Sequence, residues 1–200
     1  MVSNEAAKNF PGLSGIGEVA QNIWVERGAT AAARAKTLQQ IQERQVLIKQ
    51  GVCPQLNIFP EGATTNGKSI IKFKKGAFFS LDAVRPVVIR YKEMGGLSVA
   101  QDVCGILYST LASVYTIGTT VQVDYLPVFQ PNDFFWNNHW QEGKEEKWEA
   151  YARVVREIMA EHGGFKLSEL TMQDKIEYKK LCKEQASKCV NATSNKSKPE

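Results

Sequence analysis

The sequence is poor in the residues that build metal sites and disulfide frameworks. Its 200 residues include only two histidines and four cysteines. The cysteines are too far apart for a zinc finger or ribbon, and neither histidine lies near one of them. We therefore predict reduced thiols, no bound metal and no resident cofactor. The residues concerned are His139, His162, Cys53, Cys104, Cys182 and Cys189.

Long apolar runs, a signal peptide and a strong charge imbalance are also absent. No uninterrupted apolar segment approaches the roughly 18 residues that span a bilayer. The N-terminal residues MVSNEAAK lack the basic and apolar regions of a secretory signal. The formal charge of +4 is modest and the basic residues are spread along the chain, so no nucleic-acid partner is predicted. We expect a chain that does not cross a membrane but can lie on its surface.

The sequence does contain an alternation of extended and helical patterns. Apolar, β-branched segments predict strands at 22–27, 55–59, 70–73, 84–91 and 121–125. Helical patterns cover 29–50, 97–115 and 144–162, and a capping box at 171–174 opens a last helix. We predict an α/β fold with a mixed, mainly parallel central sheet flanked by helices.

The apolar share of 43% suits one domain, which we place at residues 1–185. The Asn-rich and aromatic segment 133–143 is predicted to be a loop. Residues 186–200 are rich in Ser, Asn and Lys, and this composition predicts a disordered polar tail. The apolar stripe of 97–115 fits either a helix packed on the sheet or an interfacial membrane helix.

Residues 62–69, GATTNGKS, satisfy the phosphate-loop pattern G-x-x-x-x-G-K-[ST]. A phosphate loop needs a helix that begins at the Lys-Ser step, because the N–H groups of that helix hold the phosphates. The residues that follow, IIKFKKG, are β-branched and alternate with a period of two, which predicts a strand or loop. We therefore predict that the match is accidental. A nucleotide-binding module stays the remote alternative.

Four short motifs occur in order along the chain. They are NIWVER at 22–27, FPEG at 59–62, VRPVVI at 84–89 and YLPV at 125–128. The second is followed by a Thr-Asn pair at 65–66 and by FKKGAF at 73–78. Together they resemble the glycerophospholipid acyltransferases of the bacterial PlsC type, and among these the lysophosphatidylcholine acyltransferase branch.

The resemblance implies a reaction and a set of binding residues. An acyl group would pass from acyl-CoA, as co-substrate, to a lysophospholipid of the lysophosphatidylcholine or 1-acylglycerol-3-phosphate type. The partners would be these two substrates and a membrane surface, that of the endoplasmic reticulum, in phospholipid synthesis. The implied substrate-binding residues are Arg27, Glu61, Gly62, Thr65, Asn66, Lys74 and Gly76.

The chemistry of these residue types suits that substrate class. An arginine fork and the N–H groups around Gly62 can grip a glycerol-linked phosphate. Glu61 is expected either to orient Arg27 or to accept a hydrogen bond from a glycerol hydroxyl. The neighbouring lysines either meet phosphates of coenzyme A and anionic headgroups or form a solvated basic face. They are Lys68, Lys72, Lys74 and Lys75.

The first motif of the family, His-x4-Asp, has no counterpart in the sequence. The resemblance implies that this His takes the proton of the acceptor hydroxyl while the Asp orients the ring. Five positions beyond His139 and His162 stand Lys144 and Leu167, so no catalytic residue is assigned. Our preferred interpretation is an acyltransferase domain that is incomplete at its N-terminus. The alternatives are a non-catalytic lipid- or CoA-binding relative, and another base such as His139.

Overall fold

The structure is a computed structural model that describes residues 2–4, 13–25, 30–65, 67–94, 111 and 118–196. The helices are α1 (Leu13–Val19), α2 (Ala31–Lys49), α3 (Asp133–His139), α4 (Lys147–Gly163) and α5 (Met172–Lys196). The strands are β1 (Val2–Asn4), β2 (Ile23–Val25), β3 (Ser69–Ile70), β4 (Val87–Met94), β5 (Gly118–Tyr125) and β6 (Lys166–Leu167). A short 3-10 helix covers Lys75–Ala77.

The chain divides into two compact units, each built from three segments. The first unit consists of Met1–Pro60, Lys74–Asp82 and Asp133–Ala152. The second unit consists of Glu61–Phe73, Ala83–Asn132 and Arg153–Glu200. The prediction of one domain at residues 1–185 stays a prediction.

The strands pair in twos, and the pairs differ in direction. β1 pairs with β2 in parallel, β3 pairs with β6 in parallel, and β4 pairs with β5 antiparallel. The predicted mixed α/β class is confirmed, whereas a mainly parallel central sheet stays a prediction. The run at 84–91 is nearly continuous in apolar residues, as buried parallel strands often are, but the described partner of β4 is antiparallel. Tyr91 in this strand is exposed, so the run does not mark a strand buried on both faces.

Several predicted elements agree with the structure in type and position. α2 begins after Thr30, whose hydroxyl accepts a hydrogen bond from the N–H of Ala33 at 3.3 Å, and Gly51 follows its end with φ +73°. Within α2, Ile41 is buried, whereas Ala31 and Ala35 are exposed. The predictions of β2, β5, α4 and the cap of α5 are likewise confirmed.

Other predictions fail or fall outside the described residues. Residues 55–59 form no strand, although the N–H of Val2 donates to the carbonyl of Asn57 at 3.1 Å. The helix predicted at 97–115 lies outside the described residues apart from Leu111. α5 runs to Lys196, past the start of the predicted disordered tail at Ala186. The Ala and Lys residues there are good helix formers, so the composition permits both states and the disordered tail stays a prediction.

The segment predicted to be a loop, 133–143, contains helix α3 instead. Phe135 of this helix is 4% exposed, and its ring centroid lies 6.1 Å from that of Tyr151 and 4.8 Å from that of Trp136. Asp133 stands in the first turn, where a negative charge is favourable. Burial of Phe135 therefore outweighs the weak helix propensity of the asparagines.

Each unit has its own buried apolar side chains. In the first unit, Tyr151 is fully buried, meets Phe78 edge to face at 5.2 Å between ring centroids, and donates its hydroxyl proton to the carbonyl of Asp82 at 2.9 Å. In the second unit the buried apolar residues include Ile70, Ile71, Phe73, Val88, Leu126, Val154, Val155 and Ala160. Within the described ranges, no helix is long and apolar enough to cross a membrane.

Candidate functional site

The candidate site is a turn at the start of the second unit, where Glu61 and Gly62 follow Pro60. Gly62 has φ +67° and Gly67 has φ +71°, both in the left-handed region that side chains with a Cβ disfavour. Turns of this kind can gather backbone N–H groups around an anion. The glycines of this segment are therefore required by the backbone conformation.

The phosphate-loop match is accidental, as predicted. Lys68 is followed by β3 at Ser69–Ile70, and residues 71–74 form no helix. A phosphate loop needs the N-terminus of a helix at this point, so these residues cannot hold phosphates in that manner.

Glu61 is half-buried, and the residues that the structure describes satisfy its carboxylate only in part. It accepts hydrogen bonds from the N–H of Ile71 and from the hydroxyl of Thr65. Burial raises the pKa of Glu61 above 4.5, and these two hydrogen bonds together with the charge of Lys175 oppose the increase. Its Oε2 atom is buried and has no hydrogen-bond partner among the described residues. A buried acceptor without a partner is costly, which favours a ligand hydroxyl or a cation at this atom.

We expect Glu61→Gln to change how the stability of the protein depends on pH. The folded state holds the Glu61 proton more tightly than the unfolded state, so this group lowers stability as pH rises through the window above 4.5. The variant should therefore be more stable relative to the original at pH 7 than at pH 4. Urea unfolding across this range measures the difference. A constant difference at all pH values would contradict the assignment, and Glu142→Gln, at an exposed position, is the control.

Gly62→Ala should lower the free energy of unfolding by about 1–2 kcal/mol, because alanine is strained at a left-handed φ. Gly15, inside α1, has no atom within 4 Å of an added Cβ. Gly15→Ala should therefore raise stability by about 0.5–1 kcal/mol. Urea denaturation measures both variants. A stability loss for Gly62→Ala no larger than the noise would show that the turn tolerates a side chain.

The structure brings together some of the predicted site residues. Glu61, Gly62 and Thr65 share one turn of the second unit, and the Thr65 hydroxyl binds the Glu61 carboxylate. Arg27 and Asn66 lie outside the described residues, so the predicted contact between Arg27 and Glu61 stays a prediction.

The other two predicted site residues, Lys74 and Gly76, belong to the first unit. The N–H of Lys74 donates to the carbonyl of Pro60 at 2.8 Å. A Cβ on Gly76 would lie 3.6 Å from the Ile41 side chain, an ordinary contact distance. Their roles in substrate binding stay predictions.

Two of the candidate phosphate-binding lysines form ion pairs with glutamates of the protein. The Nζ of Lys75 lies 2.8 Å from Glu146 and over the rings of Phe79 and Trp148, at 5.2 and 5.5 Å from their centroids. Lys72 pairs with Glu169 at 2.9 Å. For these two residues the structure favours protein ion pairs over a free basic face.

The two histidines occupy different surroundings. The His139 ring stacks on Phe135 at 5.4 Å between centroids, so it packs against the aromatic core of the first unit. The Nε2 of His162 lies 3.5 Å from a carboxylate oxygen of Asp124, which also binds Arg90. Hydrogen bonding from Gln122 and the charge of Arg90 lower the pKa of Asp124. Because Asp124 is shared with Arg90, this arrangement is that of a surface ion-pair network.

Comparison with known proteins decides the family. The sequence model of a family described as Acyltransferase matches residues 1–90. Lysophosphatidylcholine acyltransferase 1 of Danio rerio is 31% identical over 178 residues, which are 87% of this chain and 32% of that protein. The chain belongs to the glycerophospholipid acyltransferase family. The resemblance found in the four sequence motifs is therefore confirmed.

Other acyltransferases are similar over comparable segments. Lysophospholipid acyltransferase LPEAT1 of Arabidopsis thaliana is 36% identical over 125 residues, 62% of this chain and 29% of that protein. Lysophosphatidylcholine acyltransferase of Drosophila melanogaster is 29% identical over 177 residues, 88% of this chain and 31% of that protein. The chain thus spans about a third of the length of these relatives. No solved structure matches it.

Sequence reasoning missed one residue beside the turn. Lys175, in the first turn of α5, donates from its ammonium group to the carbonyl of Thr64. No local pattern marks this lysine, because it lies 111 residues from its partner along the chain. Only the packing of the second unit shows the contact.

Proposed function

We propose that this chain recognises a lysophospholipid and belongs to an enzyme that transfers a fatty acyl group to it from acyl-CoA. The acceptor would be of the lysophosphatidylcholine or 1-acylglycerol-3-phosphate type. The observation that carries the proposal is the buried Oε2 of Glu61, which has no partner within the described residues. The similar proteins are named as lysophosphatidylcholine and lysophospholipid acyltransferases, and these names support a lysophospholipid as the substrate.

Two kinds of group in the turn would bind the substrate, a carboxylate and backbone N–H groups. Glu61 would accept a hydrogen bond from a glycerol hydroxyl, or orient Arg27 toward the phosphate. Backbone N–H groups around Gly62 would meet the phosphate itself, since a left-handed glycine allows a concave arrangement of such donors. Thr65 holds the Glu61 carboxylate in place by its hydroxyl hydrogen bond.

The reaction requires a base as well as a binding turn. The acceptor hydroxyl would lose its proton to a base and attack the thioester carbonyl. The new ester bond would form as the carbon–sulfur bond breaks, and coenzyme A would leave with a proton on its sulfur. The 200 residues contain no His-x4-Asp pair, so we propose that this pair comes from outside them.

We further propose that the enzyme acts at a membrane surface, that of the endoplasmic reticulum. We also propose that the fold contains a mainly parallel central sheet.

Turnover can be tested by following thiol release from acyl-CoA. The protein to use is this chain extended at its N-terminus with a His-x4-Asp segment from a similar acyltransferase, with the His→Ala form as the control. We expect release that depends on lysophospholipid and disappears in the control. No release with any lysophospholipid would contradict the proposal.

A non-catalytic lipid-binding role is the second candidate, and the missing His-x4-Asp pair is the observation that favours it. It predicts lysophospholipid binding by the chain with no turnover in the extended form. The two candidates therefore differ in the turnover experiment and agree in the binding experiment.

A further inference from the structure

A short segment of the second unit, residues 166–175, lies beside the candidate turn and beside β3, the strand that follows this turn. We name it the flanking segment. Its strand β6 pairs with β3, and the N–H of Ser168 donates to the carbonyl of Ile70 at 3.0 Å. The N–H of Lys72 donates back to the carbonyl of Leu170 at 3.0 Å. Backbone hydrogen bonds therefore attach this segment to the chain that leaves the turn.

Charged side chains reinforce the attachment. Arg156 is only 7% exposed, and its guanidinium donates to the carbonyl of Ser168 at 3.1 Å and to Glu169 at 3.2 Å. Glu169 also binds Lys72, and hydrogen bonds from Lys72 and Arg156 lower the pKa of this carboxyl. The flanking segment is thus held by the nearly buried Arg156 and by its backbone pairing with β3 and Lys72.

The last residues of the flanking segment form the first turn of α5, and the cap of α5 fixes the place of Lys175. The N–H of Thr171 donates to the Asp174 carboxylate at 2.6 Å, and the N–H of Gln173 donates to the Thr171 hydroxyl at 3.2 Å. Lys175 is the next residue after Asp174, and its ammonium group reaches the carbonyl of Thr64. The start of α5 therefore places the Lys175 ammonium group at the turn that carries the candidate site.

We propose that Lys175 is a positioning residue of the candidate site, which fixes the turn of Glu61 through the carbonyl of Thr64 and supplies a positive charge beside the carboxylate. Thr64 precedes Thr65, whose hydroxyl binds Glu61, so a displaced Thr64 would loosen that hydrogen bond. The effect on substrate rests on the proposed function, whereas the effect on Glu61 does not. Lys175 lies beyond residues 1–90, which the family model matches.

Within the part of the chain that the structure describes, three groups act on the Glu61 carboxylate, and they can be separated by mutation. They are the Thr65 hydroxyl on the same turn, the Ile71 N–H on the chain after β3, and Lys175 on α5. Lys175 is the charged group among them, and its charge lowers the pKa of Glu61 against the larger effect of burial. Removing that charge should therefore shift the titration of Glu61 to higher pH.

The test compares Lys175→Met, which keeps the apolar stem, with Lys175→Arg, which keeps the charge and the donors. The titration of Glu61 is followed by NMR of the carboxyl carbon in protein labelled at glutamate, with Glu61→Gln to assign the signal. We expect a higher pKa of Glu61 in Lys175→Met and a value near the original in Lys175→Arg. Lys183→Met, exposed on the same helix, should leave the titration unchanged.

Binding of monomeric lysophosphatidylcholine gives the second readout. Lys175→Met should weaken it by about 5- to 10-fold, which corresponds to roughly 1 kcal/mol, and Lys175→Arg should restore it to within about twofold. If Lys175→Met does not fold, Lys175→Gln replaces it with the same expectations. An unchanged Glu61 titration in the Met or Gln variant overturns the inference. Failure of the original protein to bind any lysophospholipid overturns the proposed function instead, and the titration then decides the inference alone.

Discussion

Tyr151→Ala should lower the free energy of unfolding by about 3–5 kcal/mol, the largest stability effect we expect. The side chain is fully buried in the first unit, and its ring contacts Phe78 and Phe135 edge to face. Alanine would leave a cavity among aromatic rings that cannot all move to fill it. Chemical denaturation of the original and the variant gives the difference directly.

Two controls separate packing from hydrogen bonding at this position. Tyr151→Phe keeps the ring and removes the hydroxyl that donates to the Asp82 carbonyl, so it should cost about 1 kcal/mol. Tyr178→Ala, at a 61% exposed tyrosine of α5, should leave the unfolding midpoint almost unchanged. Equal losses for Tyr151→Ala and Tyr151→Phe would show that the ring itself contributes little.

Glu61→Ala should weaken binding of monomeric lysophosphatidylcholine by about 10- to 100-fold, the largest effect we expect on the proposed function. The carboxylate is the acceptor that would meet the ligand, and a hydrogen bond that involves a charged group contributes about 1.5–3 kcal/mol. The buried Oε2 atom, which lacks a partner in the described part of the chain, is the feature that this variant removes. Isothermal titration below the micelle concentration measures the change.

A graded series makes this experiment more specific. Glu61→Gln keeps an acceptor oxygen but loses the charge, so its affinity should fall between those of the original and Glu61→Ala. Glu142→Ala removes one negative charge from an exposed position and should leave the affinity unchanged. If Glu142→Ala and Glu61→Ala weaken binding equally, the effect is one of net charge and the turn is not the binding site.

Local sequence patterns correctly predicted the elements whose side chains repeat regularly. Helix α2 follows from its Ala-, Gln- and Lys-rich composition. The lack of a helix after Lys68 follows from the two isoleucines, whose β-branched side chains favour an extended backbone. These preferences act within a few residues of the chain, so the sequence displays them directly.

Contacts between distant segments explain the features that local patterns could not predict. The aromatic and Asn-rich segment 133–143 was predicted to be a loop from its composition, but Phe135 packs near Tyr151 and a helix forms. Strand β4 pairs antiparallel with β5, although its apolar run at 84–91 is of a kind that parallel strands often show. Neither outcome can be deduced from local propensity, because each depends on which partner the segment meets.

The sequence by itself determined the family, the candidate turn and the accidental nature of the phosphate-loop match. Four motifs in order, together with the backbone preferences of Gly62 and the two isoleucines, are sufficient for these conclusions, because they depend on residue type and short spacing. The tertiary structure decided that Glu61 is half-buried, that one of its oxygens has no partner within the described ranges, and that Lys175 reaches the same turn. The contact of Lys175 with Thr64 arises only when segments more than 100 residues apart pack together, and no local pattern predicts it.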